Sequence, residues 1–533
     1  MKFINRLENL FPKRKTWIAI YFLFTVIATG FCFYFIGKDM LPKVNSGQFQ
    51  LRIKEPDGTR LERTEEALHK VLAIIDSTVD NHVAISSSYV GLVPSSYGTS
   101  NLYIFNTGTH EALIQVGLDE DYKTNLDDLK EKLRANINSV FPEMRLSFEP
   151  IELTEKIMSQ GASTPIEIQV AGKNIPDIEN YANKLIPKLK SISCLRDIQI
   201  KQPLKFPSIH IDFDRLKMAQ LGLNVSEVAN SVTDATSSSR FTEKNQWLDE
   251  KVAYTYQVQV QVPEYSMNEM NQLKSIPLIK GKNRPILSDV ATFSLDTIPG
   301  EYDRTGPRRF ITVSANIHKK DLAAATDYVQ KAIADMGETP RGLKVELKGM
   351  SNLLLETFSS LQNGLIVAII VILLLLAANY QSFKLSLIVL TTIPAVILGS
   401  LLILLLTGST LNLQSYMGII MAIGVSVANA ILIVTNAETL RIKYEDATKA
   451  AKVSASIRLR PILMTSLAMI AGMIPMAMGF GEAGDQTAPL GRAVIGGLMA
   501  STFAALFIVP LVYSLVQKKA SLKNPSLLPE ISN

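Results

Sequence analysis

The stretch MGIIMAIGVSVANAILIVTNAETL, residues 417–440, is apolar enough to cross a bilayer, yet it carries Ser426, Asn429 and Asn436 along its length. A transmembrane helix needs about 20 mostly apolar residues to cross ~30 Å of hydrocarbon. Positions 429 and 436 share a helix face, and 426 lies one turn before 429. Two readings of that polar stripe stay open. It is either hydrogen-bonding glue between helices, or one wall of an ion pathway whose charged members lie elsewhere.

Around it, six runs are long and nearly free of charge: 16–37, 361–379, 385–406, 413–435, 461–480 and 493–516. The chain is therefore expected to be an integral membrane protein with one helix before, and five after, a long polar region. The first run, TWIAIYFLFTVIATGFCFYFIG (16–37), is too long for a signal peptide and no small-residue cleavage site follows it, so it reads as a retained helix. Basic residues collect in alternate short segments: Lys2, Arg6, Lys13, Arg14 and Lys15; then Arg441, Lys443, Lys449, Lys452, Arg458 and Arg460; then Lys518, Lys519 and Lys523. The loops TGSTLN (407–412) and GEAGDQTAPLG (481–491) hold none. This pattern predicts cytoplasmic termini and an outer domain over 38–355. It also accounts for the net charge of +5 without a nucleic-acid partner.

The two cysteines, Cys32 and Cys194, fall in the first span and the outer domain, so no disulfide is expected between them. The histidines at 69, 82, 110, 210 and 318 are scattered with no ligand spacing, and neither a metal nor a cofactor is expected. Within 38–355 no Ser/His/Asp, Cys/His or phosphate-cradling glycine pattern stands out, which argues against an enzyme.

The outer region alternates between periods of two and 3.6 residues. Gln48–Lys54 reads as a strand and Thr59–Ser77 as an amphipathic helix. Strands near 83–89, 101–106 and 112–118 follow, then a helix over 124–140 behind an acidic start and a strand near 144–149. The succession reduces to the split βαβ of ferredoxin-like folds. A second copy is read from PIEIQVAG (165–172), a helix at 175–191, strands at 197–201 and 208–213 and a helix around 225–235. It resumes at strand 310–314, helix 320–336 and strand 343–349. Between them lies an expected β-rich insert containing YTYQVQVQV (254–262). The fold class is thus an α-helical membrane protein with an α+β outer domain. It comprises six helices (1+5), two ferredoxin-like βαββαβ units and an insert.

MLPKVNSGQFQLRIKEPDGTRLERTEE (40–66), RLRPILMTSLAMIAGMIPMAMGFG (458–481) and AVIGGLMASTFAALFIVPLVYSLV (493–516) resemble segments of the resistance–nodulation–division (RND) efflux transporters. The first resembles the segment leaving the first helix of that family's second half, and the others its last two helices. The resemblance covers nearly the whole chain and implies half of a proton-driven, trimeric inner-membrane pump of the bacterial envelope. Its expected partners are a complementary first-half chain, a periplasmic adaptor protein, an outer-membrane channel and membrane lipid. The expected layout is a cytoplasmic N-terminus at 1–15, a helix at 16–37, a first porter-like unit at 38–160, and a second at 161–237 and 301–355. A docking-like insert at 238–300, a five-helix bundle at 356–516 and a tail at 517–533 complete it.

Asn429, Arg458 and Thr465 match positions near the family's proton relay. Many members place a lysine just before the asparagine, where this chain has Ala428. Plainer roles for these residues are a cytoplasmic anchor for Arg458 and a packing hydroxyl for Thr465. No Asp, Glu, Lys or Arg falls inside the six runs, so the polar stripe reads as half a proton site lacking its acidic half. Ala493, Gly497, Ser501 and Ala505 recur every four residues and form a close-approach face.

For the substrate path, the loop SSSYVGLVPSSYG (86–98) offers Tyr89, Leu92, Val93 and Tyr97 where the family has a flexible loop beside its drug pocket. An ordinary surface turn is the alternative. Amphipathic small molecules are the expected substrates, and metal ions are less favoured. The rivals are a non-pumping accessory subunit, the relic of a split gene, and an export or lipid-transport relative.

The topology is testable directly. In a background without native cysteines, a membrane-impermeant thiol reagent applied from the outside should label a cysteine placed at Ser95 and miss one at Ser521. The reverse pattern defeats the assignment.

Overall fold

The structure, a computed structural model, describes residues 11, 14–42, 46–92, 105–159, 161–243, 245–278, 284–480 and 484–519. The chain divides into two compact units: Met1–Gln202 with Tyr302–Asn533, and Pro203–Glu301.

The larger unit opens with helix α1 (Arg14–Phe35) and then builds a four-stranded sheet. Its elements are β1 (Gln48–Lys54), α2 (Leu61–Thr78), β2 (Val83–Val90), β3 (Glu111–Leu118), α3 (Leu126–Val140) and β4 (Arg145–Glu149). The strand order is β2-β3-β1-β4 and every pairing is antiparallel. Apolar spacing decides which faces turn inward. Leu126, Leu129, Leu133 and Ile137 of α3 form one buried stripe, as do Ala67, Leu68, Val71 and Ile75 of α2. Both stripes meet Phe49, Leu51 and Ile53 of β1 in one core, where each fully buried leucine or isoleucine is worth roughly 1.5–3 kcal/mol. Asn125 starts α3 by accepting the Asp127 amide, a local cap that a side chain of this type supplies. The expected strand at 101–106 lies outside the described residues as far as 104, and Phe105 and Asn106 belong to no strand.

The second sheet begins with β5 (Ile166–Gly172), α4 (Ile175–Lys190) and β6 (Leu195–Ile200). The chain then enters the smaller unit, with β7 (Phe206–Phe213), β8 (Asn245–Asp249), β9 (Tyr254–Val258) and β10 (Ala291–Ile298). It returns through β11 (Asp303–Thr305), β12 (Arg308–Ile317), α5 (Leu322–Ala334) and β13 (Lys344–Lys348). The order is β11-β12-β5-β13, with β6 also on β12. Here the structure corrects the expected course of the second copy. The strand read at 208–213 pairs with 291–298 in the smaller unit. Its alternating pattern suits any half-exposed strand, so its partner could not be read from it. The expected strand at 254–262 ends at Val258 and forms a two-stranded hairpin with 245–249.

Six helical segments are long and apolar enough to cross a membrane. After α1 they are α6 (Met350–Tyr380), the pair α7 (Phe383–Leu390) and α8 (Ile393–Leu406), α9 (Leu413–Tyr444), α10 (Ala447–Met478) and α11 (Gly484–Val516). Small residues let α11 sit at the centre. A Cβ on Gly496 would collide with the Gly399 carbonyl of α8, and one on Gly497 would meet Ser400 Oγ at 2.7 Å and Ala422 Cβ at 2.8 Å. Ser400 Oγ donates to the Ala493 carbonyl at 2.7 Å across this contact. Ala493, Gly497, Ser501 and Ala505 are all buried there.

The polar face of the first sheet is also covered. Gln50, Arg52 and Lys54 alternate with the core residues of β1, as solvent-facing residues would, yet all three are buried or nearly so. Glu111 on β3 lies 2.5 Å from Lys54 Nζ and 3.3 Å from Arg52, and Glu149 on β4 lies 2.5 Å from Arg52 Nε. Burial alone would raise the Glu111 carboxyl, but Lys54 and Arg52 outweigh it and hold it at about 2. Burial pulls Lys54 below the ordinary lysine range in spite of Glu111.

A carboxyl depressed in the folded state stabilises it above the unfolded pKa, and that contribution fades as pH falls through the folded value. Outer-domain stability should therefore drop between about pH 4.5 and pH 2. Glu111→Gln should cost about 3–5 kcal/mol at neutral pH by stranding its cations, and flatten that acid limb. Thermal unfolding followed across pH checks both, and an unaltered acid limb in the variant would refute the assignment.

Candidate functional site

Two residues of the polar stripe of α9, Asn429 and Asn436, are paired with α10. Asn429 is buried; its Nδ2 lies 3.5 Å from Ser466 Oγ, and Thr465 Oγ1 lies 3.5 Å from its Oδ1, both on α10. Ser466 in turn accepts from Thr502 of α11 at 2.8 Å. Lower on the same helix, Asn436 Nδ2 donates to Ser454 Oγ at 3.2 Å, and Ser454 Oγ donates to the Ile433 carbonyl at 2.8 Å. Tyr380 of α6 reaches Thr435 at 3.0 Å. A helix among helices must satisfy its polar groups internally, and these bonds do so for Asn429 and Asn436.

The three residues expected near a proton relay are thus unequal. Asn429 and Thr465 touch. Arg458 is one helix face with Thr465 but two turns away, half-buried, and its Nε is buried with no hydrogen-bond partner among the described residues. Ser426 Oγ is likewise buried without a partner among them. Thr465 itself is exposed, as are Leu463, Met464 and Leu467 beside it on α10.

One cluster escaped the sequence reading. The run that was expected to end at 435 continues as helix to Tyr444, and it buries Glu438 and Arg441 completely or nearly so. Arg441, counted among solvent-facing loop cations, forms an ion pair with Glu438. Glu438 also accepts a hydrogen bond from Tyr513 of α11. The available signal was the three-residue spacing of Glu438 and Arg441, which places opposite charges on one helix face. Nearby, Arg14 at the start of α1 donates to Ser514 Oγ at 3.2 Å and Thr448 Oγ1 at 3.4 Å. The start of α1, the end of α9, the start of α10 and the end of α11 therefore gather at one end of the bundle.

In the outer domain, Tyr89 is partly exposed and Leu92 is 60% exposed, while Val93 and Tyr97 lie outside the described residues. The described start of that loop is anchored. Gly91 has φ +69°, a left-handed conformation that glycine adopts at little cost, and a Cβ there would meet Leu61 Cδ1 at 2.6 Å. Asn106 Nδ2 donates to the carbonyls of Tyr89 (3.1 Å) and Gly91 (2.8 Å), and its Oδ1 accepts from Arg52 at 2.8 Å. The loop start is thereby tied to the Arg52–Glu111–Glu149 cluster. That cluster lines a cavity of about 340 Å³ between the two sheets.

The family model described as AcrB/AcrD/AcrF matches residues 2–517. The chain is 25% identical over 533 residues to the cobalt-zinc-cadmium resistance protein CzcA of Cupriavidus metallidurans, covering 97% of this chain and 48% of that protein. It is 30% identical over 349 residues to the multidrug resistance protein MdtC of Edwardsiella ictaluri, covering 64% and 33%. A crystal structure of a heavy metal efflux pump superposes with a TM-score of 0.80 at 22% identity, over 97% of this chain and 51% of the other. The chain spans about half the length of the curated relatives it matches.

The two polar clusters of the bundle differ in what they hold. Glu438→Gln removes a buried carboxylate from Arg441 and Tyr513 and should cost about 3 kcal/mol or more. Asn429→Leu loses only long hydrogen bonds and should cost under about 1 kcal/mol. Unfolding temperatures of the two purified variants compare them, and equal losses would contradict the ranking.

Proposed function

The chain belongs to the AcrB/AcrD/AcrF family of RND transporters, and from that premise we propose that it is the second half of a proton-driven efflux pump that exports amphipathic small molecules. As a family member it is an inner-membrane, multi-pass transport protein and not an enzyme. In the proposal, the two sheets are ferredoxin-like porter units outside the membrane, α1 is the leading span and α6–α11 supply the other five. Gathering the start of α1 and the end of α11 at one end of the bundle supports placing both termini on the cytoplasmic side.

The observation that carries the reading is Arg458. A guanidinium with a buried Nε that has no hydrogen-bond partner among the described residues, on α10 and on one face with Thr465 two turns away, suits a carboxylate arriving from another helix. The Arg458 guanidinium offers only donors, and so stabilises a carboxylate by charge and hydrogen bonds. Asn429 and Thr465 can orient that carboxylate by hydrogen bonds. The proton carrier is then an acidic pair supplied by a complementary first-half chain, against the exposed face of α10. On this reading the Glu438–Arg441–Tyr513 cluster is a structural lock at the other end of the stripe, roughly 13 Å along α9 from Asn429.

Other surfaces fit the wider assembly. The hairpin β8–β9 leaves Trp247, Leu248, Tyr254 and Tyr256 exposed. Trp247 stacks on Tyr256 with centroids 5.8 Å apart, giving a rigid aromatic surface for neighbouring subunits of a trimer, an adaptor or an outer-membrane channel. The substrate path runs past Tyr89 and Leu92, with Val93 and Tyr97 further along the same loop.

Proteoliposomes test the coupling. This chain alone should give no export of a fluorescent amphipathic dye driven by a pH gradient, and adding a first-half chain with its acidic pair should restore it. Asn429→Leu and Arg458→Gln should each lower the restored rate several-fold. Proton-driven export by this chain alone would overturn the half-site, and a folded two-chain complex that moves nothing would favour the accessory-subunit or relic reading.

A further inference from the structure

Between Arg460 and Lys518 the sequence holds a single basic residue, Arg492. It stands two turns inside α11, at the end of the bundle away from the Arg14 contacts, where the neighbouring loops carry no basic residue. A charge so placed in a spanning helix calls for a partner. Two of its donors are taken by the bundle itself. Nε donates to the Ala477 carbonyl in the last turn of α10 at 2.9 Å, and Nη1 to Ser409 Oγ at 2.6 Å. These bonds fix the plane of the guanidinium and leave Nη2 without a hydrogen-bond partner among the described residues.

Arg492 lines a cavity of about 550 Å³ walled by the end of α1, the α8–α9 connection, the start of α5 and the start of α11. Some of its charged groups are already engaged. Asp321 accepts from the Lys38 and Ala324 amides, Asp39 accepts from the Leu322 amide, and Lys319 faces Asp128 at 3.8 Å. Others are not: Arg492, Lys320 and Asp485 have no ion-pair partner among the described residues. Two cations and one carboxylate therefore remain open to a single cavity. Beside it, Tyr34 and Phe35 at the end of α1 are exposed, as is Leu406 at the end of α8. Exposed aromatic side chains at a helix end mark the headgroup level of a bilayer.

We propose that this cavity holds the headgroup of a zwitterionic membrane phospholipid, with its phosphodiester on Arg492 and Lys320, its primary ammonium on Asp485, and its acyl chains leaving along Phe35 and Leu406. A guanidinium edge gives phosphate oxygens directed donors, which a fixed Arg492 presents without further ordering. The ammonium is required because a purely anionic headgroup would leave Asp485 facing like charge. A primary ammonium also donates hydrogen bonds to that carboxylate, whereas a quaternary one has no N–H to give. Asp485 and Arg492 are seven residues apart on α11, about 10 Å along its axis, a separation that their side chains narrow. The lipid is a resident that ties the start of α5 to α11, not cargo. Only its leaflet rests on the proposed topology, which sets this end of the bundle outside.

Native mass spectrometry of the delipidated full chain in detergent, with thermal unfolding in parallel, tests the site. The probes are phosphatidylethanolamine, phosphatidylglycerol, phosphatidylcholine and diacylglycerol with matched acyl chains, and water-soluble glycerophosphoethanolamine. Phosphatidylethanolamine should be retained about fivefold over the glycerol and choline lipids and raise the unfolding temperature most, and diacylglycerol should do neither. The soluble ester should compete only weakly, which separates a membrane lipid from a free phosphate ester. Asp485→Asn should erase the preference for the ethanolamine lipid without weakening the glycerol lipid. Lys320→Gln should weaken all three phospholipids about fivefold, and Arg492→Gln at least as much. Equal retention of the three phospholipids by the unaltered chain, an undiminished ethanolamine preference in Asp485→Asn, or a soluble ester bound as tightly as the lipid would each overturn the proposal. Arg492→Gln also loses the bonds to Ala477 and Ser409; if it does not fold, Asp485→Asn, on an exposed side chain, decides. Binding needs neither a proton gradient nor a second chain, so a failed transport assay leaves this result standing. Failed binding leaves the pump reading standing, and an inverted chain shows itself in the Ser95 label alone.

Discussion

A polar group removed from water must find a partner, and that requirement organises both the membrane bundle and the outer domain. In hydrocarbon no solvent is available to absorb an error. Asn429, Asn436, Ser454, Ser466 and Thr502 are therefore linked from α9 to α10 and α11. The outer domain meets the same demand with charge, where Arg52 and Lys54 are buried against Glu111 and Glu149. Where the demand is met, the element is scaffold. Among the described residues it is left open at a few buried atoms, Ser426 Oγ and Arg458 Nε among them.

Close approach makes those bonds reachable. Hydroxyl-to-amide contacts across helices need backbones nearer than large side chains permit, and α11 provides this through Gly496 and Gly497 against α8 and α9. Gly418 does the same from α9, where a Cβ would come within 2.7 Å of the Leu490 carbonyl. Lipid offers no hydrophobic force to press helices together, so this packing and the few hydrogen bonds across it hold the bundle. The buried Glu438–Arg441 pair, with Tyr513 donating to Glu438, adds a costly contact near the ends of α9 and α11.

The outer domain is joined to the bundle by short, directed contacts rather than by a flexible tether. Leaving α1, the Lys38 amide donates to Asp321 at 3.0 Å and Asp39 accepts from the Leu322 amide at 2.8 Å, both at the start of α5. Gln486 of α11 donates to Glu152 at 2.8 Å. Glu152 immediately precedes the short helix Leu153–Met158, which carries Lys156 into the cavity between the two sheets.

The sequence alone determined the elements whose signals are local. Six apolar runs, the alternation of charge between loops, the stripes of α2 and α3 and the small-residue face of α11 are each written in contiguous residues, because hydrophobic periodicity acts over a few turns or strands. The resemblance of three long segments was equally local, and the family match agrees with it. Tertiary structure decided what depended on partners far along the chain. It sent the strand at 206–213 to 291–298, since an alternating strand accepts any complementary edge. It turned Gln50, Arg52 and Lys54 from an apparent solvent face into a buried ion cluster, since a charge reads as exposed until its counter-charge on another strand is known. It also withdrew Glu438 and Arg441 from the loop, because burial in a bundle is a property of the neighbours that surround a helix, and Tyr513 lies 75 residues away.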